Sequence, residues 1–242
     1  MLEKIDLSKQ MGKKEYKEQM EKMQPKLGLL QRRCKELGIP VIVLFEGFGA
    51  SGKGLMINRL IEPLDPRGFS VYSIERPTEE EKAKPFLWRF FTKTPAKGEI
   101  ALFDRSWYSK VLRERLEGLT ISTELEYAYD EINKFEKLLT EDGTVLIKFF
   151  LHITKNEQKE RFDKLVSNPS TAWRVTSLDW EHNKAYDSYL RMNDEMLERT
   201  DVESAPWTII EAMDKEYAAT KIYATVIRRL EEACECKEKE LE

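Results

Sequence analysis

Four glycines and a lysine follow an apolar run early in the chain. Residues 41–45 are apolar, Gly47, Gly52 and Lys53 then have the spacing GxxxxGK, and an amphipathic pattern begins at Leu55. This order predicts a buried strand, a glycine-rich loop and a helix. Such a loop binds phosphate, because its backbone N–H groups and the positive end of the helix attract the anion while the lysine adds a mobile cation. The alternative, an accidental glycine turn with a surface lysine, is disfavoured by the flanking strand and helix.

We assign the whole loop to phosphate binding, namely Gly47, Phe48, Gly49, Ala50, Ser51, Gly52, Lys53 and Gly54. Gly54 occupies the position where many such loops have the Ser or Thr whose hydroxyl binds magnesium. We therefore expect the metal ligand to come from another part of the chain.

A second polar segment follows another apolar run. Residues 100–103 are apolar, and Asp104 and Arg105 come directly after them. Because parallel strands end at the same edge of a sheet, we expect Asp104 beside the glycine loop. We predict that Asp104 binds Mg²⁺, that Arg105 binds a second phosphate, and that both are catalytic together with Lys53. Capping of the helix predicted from residue 105 is the alternative role for Asp104.

A cluster of polar residues follows the strand predicted over residues 69–74. Thr78 precedes three glutamates and is expected to cap a helix, and Arg89 lies among aromatic residues. An arginine in this setting either contacts a base or phosphate or lies along the surface as a snorkelling side chain. We assign Arg76, Thr78 and Arg89 to nucleotide binding.

A polar excursion separates the strands predicted over residues 144–153 and 206–210. A charged helical pattern starts at residue 155, breaks over residues 167–173 and resumes over residues 180–199. Such an excursion is typical of a lid, and cations on a lid can neutralise a transferring phosphoryl group. We assign Arg161 and Arg174 to phosphate binding, and Lys164 lies beside them. For each of these residues the alternative is a solvated helix charge.

Composition limits the remaining possibilities. The chain has 242 residues, of which 41% are hydrophobic and 35% charged, and a net charge of -4. The length fits one α/β domain with extensions. The net negative charge disfavours general nucleic-acid binding but permits a local basic groove. Three cysteines suggest no disulfide framework, and no stretch resembles a signal peptide or a membrane span. We therefore expect a cytoplasmic protein without a membrane or nucleic-acid partner.

Helical periodicity covers most of the remaining chain. It predicts helices over residues 12–37, 52–62, 105–117, 122–140 and 217–230, with Pro25 as a point that divides the first. That first helix packs along the domain, packs against another subunit, or is an exposed cap. The pattern does not separate these alternatives.

Several motifs in order resemble the polyphosphate kinase 2 family: GFGASGKG, ERPTEEE, PFLWRFF, PAKGEIALFDRSWY and APWTIIEAMDK. The resemblance is closest to its polyphosphate:AMP phosphotransferase branch. It implies a three-layer α/β/α P-loop kinase fold, similar to thymidylate kinase, with a central parallel sheet and a helical lid. We divide the chain into a helical extension at 1–40, a kinase domain at 41–236 with its lid near 155–180, and a charged tail at 237–242.

The same resemblance implies magnesium-dependent phosphoryl transfer between inorganic polyphosphate and a nucleotide, AMP or ADP, by a dimer or tetramer. Lys53 matches the P-loop lysine, Asp104 and Arg105 match the acidic and basic pair of the second motif, and Arg174 matches a lid cation. Gly49 departs from the family pattern, which has aspartate there. This departure leaves open an impaired homologue that binds polyphosphate or nucleotide, unless Glu46 or Ser51 compensates. An ATP-dependent nucleotide kinase, which uses the same loop with a different donor, also stays open.

Overall fold

The structure, a computed structural model, describes residues 1–241 and shows an α/β protein. The first half of the chain contains α1 (Lys13–Leu37), β1 (Val41–Gly47), α2 (Lys53–Ile61), β2 (Phe69–Ser73), α3 (Glu79–Lys82), α4 (Trp88–Phe91), β3 (Ile100–Asp104) and α5 (Arg113–Leu116). The second half contains α6 (Ser122–Glu141), β4 (Val145–His152), α7 (Lys155–Val166), α8 (Ser177–Lys184), α9 (Tyr186–Thr200), β5 (Trp207–Glu211) and α10 (Lys215–Leu241).

The described strands form one parallel sheet in the order β2-β3-β1-β4-β5. Every residue of the two central strands, β1 and β4, is buried. A strand covered on both faces favours apolar residues along its length, and most residues of β1 and β4 are apolar, with Glu46 in β1 and with Lys148 and His152 in β4 as the polar exceptions. Phe45 pairs with Asp104 on one side and with Phe149 on the other. The ends of β1 and β3 therefore reach the same edge of the sheet, as the sequence predicts.

Helices cover both faces of the sheet. Helices α2 and α10 pack on one face, with α1 lying along α10, and α6 packs on the other face with α9 against it. This three-layer arrangement, with α7 and α8 inserted after β4, confirms the predicted P-loop kinase fold. Within residues 1–241, no helix is both long and apolar enough to span a bilayer.

The two terminal helices differ from their prediction. Helix α1 continues through Pro25 without a break, because its packing along α10 outweighs the one backbone hydrogen bond that proline removes. Helix α10 extends to Leu241 instead of ending near residue 230. Its charged end forms ion pairs with α1, from Lys26 to Glu231 at 2.7 Å and between Arg33 and Glu238. The predicted charged tail is thus helical as far as it is described.

Two other predicted helices are interrupted. The helix predicted over 105–117 is wrong at its start, because Arg105 has a left-handed φ of 63° and Ser106 is extended. A 3₁₀ turn (Trp107–Lys110) and the short α5 follow instead. The helix predicted over 180–199 consists of α8 and α9, which are separated at Ala185.

Candidate active site

Residues 47–54 form a tight loop between β1 and α2. Gly47 has φ of 130°, and a Cβ there would lie 2.3 Å from the carbonyl oxygen of Leu151, so only glycine fits beside β4. Gly52 has φ of 100° immediately before α2, and Ala50 also has a left-handed φ of 55°. These dihedral angles turn the chain sharply ahead of the positive end of α2, which is the arrangement of an anion-binding loop. The Phe48 side chain is turned away from it and stacks on Tyr186, with ring centroids 4.5 Å apart.

Lys53 lies inside this loop. Its Nζ donates hydrogen bonds to the carbonyl oxygens of Gly47 at 3.1 Å and of Phe48 at 3.0 Å. Burial of the ammonium, reinforced by the charge of Arg105, lowers the pKa of Lys53 to about 8. An anion at the loop would counter both effects, so the buried ammonium is suited to bind phosphoryl oxygens.

Asp104 and Arg105 reach the same loop from the end of β3. The Oδ2 atom of Asp104 is 3.7 Å from the point where a Cβ on residue 54 would lie, so Gly54 leaves space beside the carboxylate. The backbone N–H of Arg105 donates to the carbonyl oxygen of Phe45 at 3.0 Å. The Arg105 side chain lines a small cavity next to the loop, together with Gly47. The structure thus brings the three predicted catalytic residues together.

Glu46 adds a buried carboxyl group at the end of β1. It accepts a hydrogen bond from the Ser106 hydroxyl at 2.8 Å. Burial raises its pKa, while this hydrogen bond and the charge of Lys53 act in the opposite direction. In the sequence, the signal for a role of Glu46 in the site was its position between the apolar run and the glycine-rich loop.

The lid is closed against the loop. The Gln158 side chain of α7 donates from Nε2 to the carbonyl oxygen of Gly49 at 3.1 Å. A Cβ on residue 49 would lie 3.3 Å from that Nε2, 3.3 Å from Cζ of Phe162 and 3.8 Å from Oδ1 of Asp179. Asp179 is fixed by the capping of α8, where Thr176 donates to its other oxygen. The sequence did not indicate that Asp179 belongs to the site, because the helical pattern that begins beside it indicated only the start of a helix.

Arg161 and Arg174, both predicted to bind phosphate, lie in different settings. Arg161 donates to the carbonyl oxygens of Ala50 and Ser51, each at 3.1 Å, and to two carbonyls after β5. Its nitrogens therefore brace the loop against the sheet, and a direct contact with phosphate would require those bonds to open. Arg174 is exposed and lies over the ring of Trp173. Both assignments stay predictions.

The three residues predicted to bind nucleotide lie near a second cavity, of about 390 Å³. Arg89 lines it, pairs with Glu81 at 3.3 Å and donates to the carbonyl oxygen of Glu75. Thr78 caps α3 as predicted, and exposed Arg76 donates to Glu117 at 2.9 Å. The wall also contains aromatic and basic side chains, including Phe86, Trp107, Lys84 and Lys110.

Magnesium fits this arrangement as an ion shared with substrate phosphates. Among residues 1–241 no group of three or more His, Cys, Asp or Glu side chains could enclose a metal. Mg²⁺ commonly binds through one or two carboxylates plus phosphate oxygens and water. Asp104 can provide a carboxylate, and the space that Gly54 leaves beside it can admit phosphate oxygens and water. The Ser51 hydroxyl is buried and has no hydrogen-bond partner among the described residues, so it offers a further oxygen at the loop.

A buried ionic network supports the segment after Asp104. Glu136 of α6 accepts hydrogen bonds from Trp107 Nε1 at 2.9 Å, from Tyr108 Oη at 2.5 Å and from Lys148 Nζ at 2.7 Å. Lys148 also donates to the carbonyl oxygen of Thr200 at 2.7 Å. The network fixes both aromatic residues, and through them the chain that carries Asp104 and Arg105. Lys148 interrupts an apolar strand, which was the sequence signal for it.

Comparisons with known proteins identify the family of this chain. The family model described as Polyphosphate kinase 2 matches residues 10–239. A polyphosphate:AMP phosphotransferase of Pseudomonas aeruginosa is 40% identical over 96% of this chain and 47% of its own length, so the chain spans about half of that relative. A crystal structure of a putative polyphosphate kinase 2 from Pseudomonas aeruginosa superposes with a TM-score of 0.93, at 40% identity over 96% of this chain and 50% of that one.

A second crystal structure, polyphosphate kinase 2 from Arthrobacter aurescens, has a TM-score of 0.91 at 30% identity and covers 95% of this chain and 84% of its own. Sequence and fold therefore agree over nearly the whole length of the chain. The motifs that carried the resemblance, including the phosphate loop and the Asp104–Arg105 pair, all lie within the matched residues. This chain belongs to the polyphosphate kinase 2 family.

Proposed function

We propose that this chain transfers a phosphoryl group between inorganic polyphosphate and a nucleoside mono- or diphosphate, with AMP as the first acceptor to test. The observation that carries the proposal is the convergence of Lys53, Asp104 and Arg105 on one phosphate loop beneath a closed lid. The printed name of the 40% identical relative, which joins polyphosphate and AMP, supports this choice of substrates.

Each residue has a simple role in this reaction. Lys53 and Arg105 bind phosphoryl oxygens and hold donor and acceptor in line, and Asp104 holds Mg²⁺, which supplies charge neutralisation when bound. The bond between the terminal phosphorus of polyphosphate and its bridging oxygen breaks, and a bond from that phosphorus to an oxygen of the acceptor phosphate forms. Positioning and charge neutralisation suffice, so no covalent protein intermediate is needed.

The 390 Å³ cavity is our candidate for the nucleoside. It offers the faces of Phe86 and Trp107 for a base and the cation of Arg89 for polar groups. Because Ser109 and Arg113 line both this cavity and the one beside the loop, a ligand can extend from one to the other.

A binding protein without efficient transfer is the second candidate. Gly49 provides no carboxylate at the loop, which is the observation that favours it. In that case the same groove would bind polyphosphate or nucleotide, either alone or as the partner of an active copy. We also propose a dimer or tetramer, which light scattering coupled to size-exclusion chromatography would test.

The test is phosphorus NMR of the purified chain with AMP, Mg²⁺ and polyphosphate, and a parallel reaction with ATP in place of polyphosphate. We expect the β-phosphate signal of ADP to grow as polyphosphate end groups change. ADP formation only with ATP would favour an ordinary nucleotide kinase. No transfer from either donor, with polyphosphate binding retained in calorimetry, would favour the binding protein.

A further inference from the structure

Two side chains next to the phosphate loop have buried nitrogen atoms without a hydrogen-bond partner among the described residues. Nε and Nη2 of Arg113 are buried and have no hydrogen-bond partner among the described residues, and the same holds for Nε2 of His182. Arg113 extends from α5 and His182 from α8 in the lid, and both line the small cavity beside the loop together with Arg105. Two segments far apart in sequence thus bring nitrogen atoms without a hydrogen-bond partner to the lining of one cavity.

Arg105 and Arg113 bring two cations to this space. Burial lowers the pKa of Arg113, and the neighbouring charges of Arg105 and Arg76 act in the same direction. Glu117 opposes them; its Oε2 accepts a hydrogen bond from Arg76 at 2.9 Å, and its Oε1 is buried without a hydrogen-bond partner among the described residues. Burial, together with Arg105 and Arg113, also lowers the pKa of His182, although Asp179 and Glu117 oppose this shift.

Arg113 is half-buried, but its buried Nε and Nη2 N–H groups have no partner among the described residues, which is costly, and an anion that accepts them removes the cost. Arginine presents a planar fork that matches two oxygens of a phosphate, and imidazole can add one donor. Asp179 and Glu46 also line the cavity, so the ligand must carry enough negative charge to compete with them. A phosphate ester or anhydride meets this requirement.

We propose that Arg113 and His182, together with Arg105, form a second phosphoryl-binding subsite that takes a phosphate oxyanion of a substrate beside the P-loop. This proposal rests on the proposed function, because it names where the phosphate that is not held by Lys53 binds. The oxyanion comes either from AMP, whose nucleoside would lie in the 390 Å³ cavity that Arg113 also lines, or from an interior phosphate of polyphosphate.

The test is calorimetric titration of AMP and of tripolyphosphate, separately, into the full chain and into Arg113→Met. Methionine keeps an unbranched apolar chain and removes the planar guanidinium group. We expect at least a 10-fold rise in Kd for one ligand or both, together with an unchanged or higher Tm, because the variant no longer buries these N–H groups. Loss of AMP affinity alone assigns the nucleotide phosphate to the subsite, and loss of tripolyphosphate affinity alone assigns the polymer.

The matched control is Arg228→Met, because Arg228 lies exposed on α10 and, among the described residues, pairs only with Glu232, at 2.8 Å. It should change neither Kd. Parental affinity for both ligands in folded Arg113→Met, or a parent that binds neither ligand, would overturn the proposal. Should Arg113→Met fail to fold, Arg113→Lys keeps the charge without the fork, and parental affinities in that variant would likewise overturn it. Binding requires no turnover, so a protein that binds through Arg113 yet transfers nothing would contradict only the proposed function.

Discussion

Replacement of Gly49 by aspartate tests the relation between the phosphate loop and the lid. The φ of Gly49 lies outside the left-handed region, so an L-residue fits the backbone. Its Cβ would be tight against Gln158 and Phe162, at 3.3 Å from each, and 3.8 Å from Oδ1 of Asp179. Gly49→Asn meets the same steric contacts without the charge. The difference between the two variants therefore isolates electrostatic repulsion between residue 49 and Asp179.

The size of that repulsion follows from the distances. Two carboxylates about 5 Å apart repel each other by roughly 3 kcal/mol at an effective dielectric constant of ~20. Water at half-buried Asp179 and the nearby ammonium of Lys53 reduce the effect, so we expect Gly49→Asp to be less stable than Gly49→Asn by about 1–2 kcal/mol without metal. Urea denaturation in the presence of EDTA measures this difference.

Magnesium should reverse the order of stability. The two carboxylates of Gly49→Asp offer hard oxygen ligands beside the loop, so added Mg²⁺ should stabilise this variant more than the parent and raise its turnover with polyphosphate and AMP. The double change Gly49→Asp, Asp179→Asn should recover stability in EDTA. Equal urea midpoints for Gly49→Asp and Gly49→Asn in EDTA would refute the proximity of Asp179. A stable Gly49→Asp protein with no gain over a measurable parental rate would mean that the missing carboxylate is not a defect.

Further predictions concern the loop lysine, the candidate metal ligand and the buried network. Lys53→Ala should abolish transfer without a change in circular dichroism, and a folded variant with parental activity would contradict the P-loop assignment. Asp104→Asn should raise the Mg²⁺ concentration needed for half-maximal activity, whereas an unchanged requirement would leave Asp104 outside the metal site. Because Lys53 has a pKa of about 8 in the folded protein and the ordinary value is 10.5, the unfolded chain binds more protons between these pH values. This group should make stability rise from about pH 8 to pH 10.5, and urea titrations of Lys53→Met should lack that part of the rise. Lys148→Met leaves Glu136 buried without its cation and should lower the free energy of unfolding by about 3–5 kcal/mol. Adding Glu136→Gln should recover part of that loss, and a double variant no more stable than Lys148→Met would contradict this account.

Local patterns in the sequence were enough to predict the strands of the sheet and the phosphate loop. The apolar run at residues 41–45 and the GxxxxGK spacing that follows it are local patterns, and they predict a buried strand and a glycine-rich loop. The need for glycine at residue 47 depends on the tertiary structure, because a Cβ there would meet Leu151 of β4. The meeting of Asp104 with the loop was also predictable, because parallel strands with right-handed crossovers end at one edge. The length of α10 could not be predicted from local patterns, because its last turns depend on ion pairs with α1, about 200 residues away.

The direction in which each side chain points was decided only by the tertiary structure. Arg161 and Arg113 look alike in sequence, as arginines in charged helical stretches, yet the first donates to protein carbonyls and the second has buried nitrogens without a partner. Asp179 reads as a helix cap, and only the closure of α8 over the loop brings it beside Gly49. The physical reason is that periodicity records which face of an element is buried. The partner of a given donor or acceptor depends on how segments distant in the chain pack against one another.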